Sequence, residues 1–365
     1  ARARSLAKRR GPRVAMVLHG LSPSLPPARV TMALQPLPLA DGIRVQRLGF
    51  GTWAWGNKLL WGYDTDDDPQ LQAAFNAAVR QQNPFDNSRI FFDTGDSYGT
   101  GKLEGQAEAL LGRFRAESRG PDRAVIGTKL AVYPTRLTAQ SFEDACRASL
   151  ARMGRDQIEL VQAHWSAKNF QPWQEEPMWD GLARCYEAGL ARAVGTSNFG
   201  PRQLRLANAY WAERGVPHTA NQVQFSLLST LPLESGLFEA CAELGVTPIG
   251  YSPLALGLLS DRYDESRLPK GPRGLLFKEI LPGLQPLLGS LREVAAARGK
   301  SVSQVAINWC MCKGAVVIVG IKTAAQAEEN RGALGWELSG AEQLELEAAA
   351  AKVPKKATQN IFQTS

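Results

Sequence analysis

The stretch Ile90-Phe91-Phe92-Asp93-Thr94-Gly95-Asp96-Ser97-Tyr98 runs from a strand-prone apolar triplet directly into two carboxylates and a phenol. Glycines at 95, 99 and 101 keep a helix from starting there, so a strand ends on polar side chains. Two further runs, Ala124–Leu130 and Ile158–His164, carry Lys129 and His164 at their ends. An aspartate, a tyrosine, a lysine and an imidazole in one place could deliver a proton to an oxygen that gains charge. A phenol near pKa 10 is a weak acid at neutral pH, and a neighbouring ammonium is expected to lower it. A buried ammonium needs a counter-charge, which Asp93 can supply. An imidazole at position 164 can hold and polarise a carbonyl oxygen. Taken singly, each residue also has a plainer reading: Asp93 as a turn cap, Lys129 as an internal ion pair, His164 as a core histidine. Asp96 reads as a loop residue.

The elements that would bring these groups together follow from alternation along the chain. Eight β-branched or aromatic runs fall at Gln46–Thr52, Ile90–Asp93, Ala124–Leu130, Ile158–His164, Ala191–Ser197, Ala220–Phe225, Thr247–Tyr251 and Ala315–Ile321. Amphipathic stretches separate them: Pro69–Gln82, Gly105–Phe114, Ser141–Met153, Met178–Ala188, Pro201–Arg214, Leu233–Leu244 and Gln285–Cys312, the last divided near Gly299. Ala324–Leu334 follows the eighth run, and Gly340–Lys352 adds a further C-terminal helix. Strand then helix, repeated eight times, predicts a parallel sheet closed as a TIM (β/α)8 barrel. The Gly- and Pro-bearing stretch Ala255–Leu284, after the seventh strand, reads as a long lid or ligand loop. In such barrels chemistry collects where strands end and helices begin. The remaining strand ends supply Trp53, Ser197, Asn198, Gln222, Tyr251, Ser252, Lys322 and Thr323.

With these residues in place the chain resembles the aldo-keto reductases. The resemblance covers about Val45 to Leu338 and rests on RLGFGTWAWG, FFDTGDSYGTG, IGTKL, LVQAHW, AVGTSNFG, NQVQFS, GYSPLALGLL and VGIKTAAQAEEN, in the family's order. It implies NADP(H)-dependent reduction of aldehydes or ketones, with Asp93, Tyr98, Lys129 and His164 as catalytic tetrad and Tyr98 as general acid. It also implies that Ser197, Asn198 and Gln222 meet the nicotinamide carboxamide and that Tyr251 stacks on its ring. Backbone groups of Ser252, Leu254 and Gly257 would meet the pyrophosphate, and Lys322, Thr323, Gln326, Glu329 and Asn330 the adenosine end. No metal is implied. Two departures stand out: Ile318-Val319-Gly320 where the family usually has Ile-Pro-Gly, and Lys322 where an Arg or Ser often holds the 2′-phosphate. A lysine binds phosphate as a point charge, which favours NADPH over NADH. The plastid and bacterial branch of the family is nearest.

Charge and composition bound the rest. The chain of 365 residues has a formal net charge of +7, but seven basic residues precede the first acid, Asp41. Beyond them 35 basic residues face 35 acidic ones, so the expected barrel, residues 41–365, is neutral and offers no general polyanion-binding surface. The acid-free arm, residues 1–40, has the composition of a transit peptide and points to a chloroplast or another organelle, with the cytoplasm as the alternative. No apolar run of about 18 residues suggests a membrane span. Five cysteines, all in helical stretches, read as reduced buried thiols. Trp53, Trp55, Trp61 and Trp165 are candidates to line the open end for a small carbonyl substrate, and Asp64–Asp68 reads as a solvated lead-in to the Pro69 helix. Three rival readings remain. Gly49–Ala54 and Tyr98–Lys102 formally fit Rossmann-enzyme motifs but lack the helices those motifs need. A Schiff-base role for Lys129 is opposed by a neighbouring carboxylate. A non-catalytic NADPH-binding regulatory or assembly subunit would keep the barrel and the groove without turnover.

Overall fold

The computed structural model describes residues 35–80, 88–101, 104–355, 357 and 363–364. The basic arm expected at residues 1–40 therefore lies almost wholly outside the described residues.

Among the described residues ten strands are present: β1 (Leu37–Ala40), β2 (Ile43–Val45), β3 (Leu48–Gly51), β4 (Ile90–Asp93), β5 (Ala124–Leu130), β6 (Leu160–Ala163), β7 (Val194–Ser197), β8 (His218–Gln224), β9 (Thr247–Tyr251) and β10 (Val316–Gly320). Strands β3 to β10 close into a parallel barrel, with β10 pairing both β9 and β3. The helices are α1 (Lys58–Trp61), α2 (Asp68–Val79), α3 (Gln106–Glu117), α4 (Ala139–Met153), α5 (Glu175–Glu187), α6 (Pro201–Ala212), α7 (Leu231–Glu234), α8 (Leu237–Leu244), α9 (Pro272–Arg298), α10 (Val302–Cys312), α11 (Ala324–Arg331) and α12 (Gly340–Ala351). The eight runs read from the sequence are the eight barrel strands, and the helix after Gly340 is α12.

Side chains alternate across each strand, and this decides what the barrel holds. Phe91, Val125, Leu160, Ala193, Ala220, Ile249 and Val316 point inward and fill its lower half. Phe91 leans over the neighbouring strand β5, where a Cβ on Gly127 would come within 2.8 Å of the Phe91 ring, so only glycine fits there. Two residues further along their strands, Asp93, Gln222 and Tyr251, and four further along β5, Lys129, occupy the upper interior. The apolar floor thus fixes the height of the polar layer.

The lower end is closed by the β1–β2 hairpin, which turns at Asp41-Gly42 with Gly42 at φ +66°. Leu39, Ala40, Ile43 and Val45 join the interior cluster, and the Thr219 and Thr247 hydroxyls donate to the Leu39 and Pro38 carbonyls at 2.6 and 2.7 Å. The hairpin begins at Leu37, ahead of the residue 41 at which sequence alone begins the barrel.

The stretch after β9 corrects a second expectation. Residues 272–284, read as part of an irregular loop, form the first half of α9, which continues through Pro282 and Pro286. Each proline removes a backbone hydrogen bond. The helix holds because Phe277, Ile280, Leu281, Leu284, Leu287, Leu288 and Leu291 recur at helical spacing and are all buried. The connection left after β9 is shorter, residues 252–271, with a 3-10 turn at Ala255–Ser260.

Candidate active site

The upper rim gathers the ends of β4, β5 and β6. Asp93 closes β4 with its backbone carbonyl held by both the Thr52 amide and the Thr52 hydroxyl at 3.0 Å. Its Oδ1 accepts from Lys129 Nζ at 2.5 Å and from Gln222 Nε2 at 2.7 Å. Lys129 Nζ also donates to the Thr94 carbonyl at 2.8 Å. The ammonium lies 4.8 Å from the centre of the Tyr98 ring, and that ring meets His164 edge to face at 5.7 Å. His164 Nδ1 is 3.3 Å from the Ser97 hydroxyl. The four groups from three strand ends therefore form one contiguous cluster.

Asp96, read as a loop residue, sets the approach of Tyr98. Its carboxylate accepts from the Ala131 amide at 2.9 Å and from Arg136 Nη1 at 2.7 Å, while its own amide donates to the Lys129 carbonyl at 3.0 Å. The loop carrying Tyr98 is thereby bound to the backbone on both sides of Leu130. A tight turn, with the Tyr98 amide on the Gly95 carbonyl at 3.0 Å, then directs the ring over Lys129.

Electrostatics differ from the sequence expectation in one respect. Tyr98 is held well above the ordinary phenol range, first by burial and then by the charge of Asp93, rather than lowered by Lys129. The physical reason is that Asp93, bonded directly to the ammonium, compensates the charge that would have stabilised phenolate. Burial also lowers Lys129, against the opposing pull of Asp93. His164 is pushed well below its usual value by burial and by Lys129. At neutral pH the phenol is loaded with its proton and the imidazole is neutral.

A cleft of about 480 Å³ opens above this cluster and runs along the ends of β7, β9 and β10. Asp93, Tyr98 and His164 line it; Lys129 and Gln222 stand behind Asp93. Ser197 and Asn198 form its next wall. The Asn198 Oδ1 accepts from the Tyr251 hydroxyl at 3.0 Å, and Asn198 Nδ2 donates to the His164 carbonyl at 3.1 Å. Ser252, Leu254 and Gly257 line the cleft from the loop after β9, where Ser252, Ala255, Leu256 and Gly257 all have positive φ. Lys322, Gln326 and Asn330 line the far end. Thr323 and Glu329 do not: Thr323 caps α11 by accepting from the Gln326 amide at 3.1 Å, and Glu329 is ion-paired with Arg262.

The tryptophans divide. Trp53, Trp61 and Trp165 line the cleft, whereas Trp55 is fully buried against Phe114 with its indole N–H on the Ile321 carbonyl at 2.8 Å. Sequence reasoning did not single out Ser97, Arg262, Tyr263, Arg273 or Ser303, all of which line the cleft. Arg273 stacks over Trp61 at 4.3 Å, bridging α9 to α1. It sits in a Pro- and Gly-rich stretch with no periodicity to place it.

A sequence model described as the aldo/keto reductase family matches residues 47–351. This chain belongs to that family. Pyridoxal reductase of Arabidopsis thaliana, described as chloroplastic, is 54% identical over 326 residues, covering 88% of this chain and 88% of that protein. L-glyceraldehyde 3-phosphate reductase of Escherichia coli is 29% identical over 312 residues, covering 80% and 85%. The glycerol dehydrogenase of Gluconobacter oxydans superposes with a TM-score of 0.72 at 21% identity, covering 91% of this chain and 99% of that one, a likeness that concerns the fold. This aldo-keto reductase is thus an oxidoreductase that acts on a small carbonyl compound with a nicotinamide cofactor.

The cleft fits a dinucleotide on its own geometry. Gly51 and Gly320 line it where an added Cβ would meet nothing within 4 Å, so the missing side chains widen the groove itself. Left-handed backbone at Ser252 and Ala255–Gly257 is a conformation that can turn amide groups toward an anion. Among the described residues no group of three or more His, Cys, Asp or Glu is placed to hold a metal ion. All five cysteines are free, four buried and Cys312 half-buried. No helix among those residues is long and apolar enough to cross a membrane.

Proposed function

We propose that this aldo-keto reductase is NADPH-dependent and reduces an aldehyde or ketone to the alcohol, the proton coming from the Tyr98 hydroxyl. The observation that carries the reading is the single Asp93 oxygen shared by Lys129 and Gln222 beside the Tyr98 ring. Asp93 anchors the buried Lys129 amine beside the phenol, and burial keeps the proton on Tyr98 until an oxygen that gains charge draws it away. In the tautomer in which His164 Nδ1 accepts from the Ser97 hydroxyl, Nε2 carries the proton and would donate a hydrogen bond to the carbonyl oxygen of the substrate. The nicotinamide, when bound, supplies the hydride to the carbonyl carbon. Ser197 and Asn198 would hold its carboxamide, with Gln222 behind them on Asp93, Tyr251 its ring, and the backbone of Ser252, Leu254 and Gly257 the pyrophosphate. Lys322, Gln326 and Asn330 would take the adenosine end, with Thr323 and Glu329 shaping it through α11 and Arg262. Lys322 as a phosphate point charge supports NADPH over NADH.

The substrate reading is a flat aldehyde of the pyridoxal class. It is supported by the Arabidopsis relative and by Trp53 and Trp165, which line the same cleft as Tyr98 and His164. The same relative, with the acid-free composition of residues 1–40, supports a plastid location. NADPH oxidation followed with pyridoxal, methylglyoxal and nitrobenzaldehyde tests the proposal. Turnover is expected, fastest with pyridoxal. Tight NADPH binding with no turnover on any carbonyl would instead favour a non-catalytic, NADPH-binding regulatory or assembly subunit.

A further inference from the structure

Beyond α12 the chain returns to the barrel mouth. Gln224, at the end of β8, donates from Nε2 to the Ala357 carbonyl at 2.5 Å. Thr364 then meets the loop after β7. Its amide donates to the Asn198 carbonyl at 3.2 Å, and its hydroxyl accepts from the Gly200 amide at 3.0 Å. Thr364 is 7% exposed, so both bonds are shielded from water.

Asn198 is a residue at which such support has an effect. It has φ +64°, a left-handed conformation that few residues other than glycine adopt. Conformations of this kind persist where the surroundings over-determine them. The Asn198 amide donates to the Gln222 carbonyl at 2.8 Å, its side chain bonds the His164 carbonyl and the Tyr251 hydroxyl, and its own carbonyl accepts from Thr364. The first three contacts come from barrel strand ends or the residues that follow them. The fourth comes from the segment beyond α12. Gly200 has no side chain with which to cap α6, and its backbone N–H is held by the Thr364 hydroxyl. One threonine therefore grips the turn at residues 198–200 from both sides of Phe199.

We propose that Thr364 is a positioning residue for nicotinamide binding: by clamping the backbone of Asn198 and Gly200 it holds the Asn198 side chain at the angle at which the cleft presents it. The inference rests on the assignment of Asn198 to the carboxamide end of the cofactor. It requires that the effect reach any nicotinamide dinucleotide, phosphorylated or not, because the clamp lies at the nicotinamide end.

The experiment titrates NADPH and NADH separately into the full chain, read by tryptophan fluorescence, for wild type, Thr364→Val, Thr364→Ser, Asn198→Ala and the Asn198→Ala/Thr364→Val double variant. Thr364→Val keeps the shape and removes the hydroxyl. It is expected to weaken both dinucleotides by the same factor, about three- to tenfold, the worth of one hydrogen bond. Thr364→Ser should restore affinity, and Thr364→Val should add nothing in the Asn198→Ala background. Unchanged affinity in Thr364→Val, or an undiminished loss in the Asn198→Ala background, overturns the inference while leaving the cofactor reading intact. Failure of wild type to bind either dinucleotide overturns the cofactor reading and the inference with it.

Discussion

Lys129 Nζ and Gln222 Nε2 converge on one oxygen of Asp93, at 2.5 and 2.7 Å, with the Lys129 and Asp93 side chains 1% and 3% exposed. A charge pair this deep is sustained by its partners, and removing one partner strands the other. Lys129→Met is therefore expected to destabilise the fold by about 3 kcal/mol. The Lys129→Met/Asp93→Leu double variant should recover most of that loss while remaining inactive. Urea midpoints of the three proteins decide it; a double variant less stable than the single one would contradict the picture of an uncompensated charge.

The strand ends were legible because their polar residues interrupt apolar runs. Asp93, Lys129 and His164 each break a hydrophobic pattern, and the barrel brings them together. Other features were illegible for identifiable reasons. Asp96 acts through the Ala131 amide and Arg136, contacts made between two loops that no local pattern encodes. The first half of α9 was hidden by Pro282-Gly283, whose local preference is overridden by the buried face around Leu281 and Leu284. The β1–β2 hairpin did carry a signal, Asp41-Gly42 between short apolar runs, but it fell beside the basic arm and was absorbed into it. The raised pKa of Tyr98 could not be read from its neighbours' signs alone, since it depends first on burial and then on the charge of Asp93.

Lys322 offers a test of cofactor choice. Its ammonium bonds the Trp61 carbonyl at 3.2 Å and lies 3.9 Å from Asp67, at the far end of the cleft. Lys322→Gln should weaken NADPH binding about tenfold, the scale of a charged hydrogen bond, and leave NADH nearly unchanged. Calorimetric titration with each dinucleotide measures it. Equal losses for both would place Lys322 away from the 2′-phosphate.

His218, buried at the start of β8 between Thr196 and Trp211, is pushed down to about 3 by desolvation. The unfolded chain therefore binds a proton near pH 6.5 that the folded chain refuses. Stability from this residue is present above pH 6.5 and is lost as pH falls toward 3, by about 2 kcal/mol between pH 6.5 and 4.5. A His218→Gln variant, having no such proton, should show a loss smaller by that amount in denaturation measured at the two pH values. Parallel losses in both proteins would mean that His218 accepts its proton while folded.

The most direct measurement is single-turnover reduction of pyridoxal by NADPH in wild type and Tyr98→Phe, with NADPH affinity measured on the same samples. Loss of the hydroxyl should slow reduction by at least about a hundredfold, the usual weight of a general acid, while the dissociation constant of NADPH stays within about threefold of wild type. A Tyr98→Phe protein that reduces pyridoxal at a rate near wild type would contradict the assignment of Tyr98 as the proton donor.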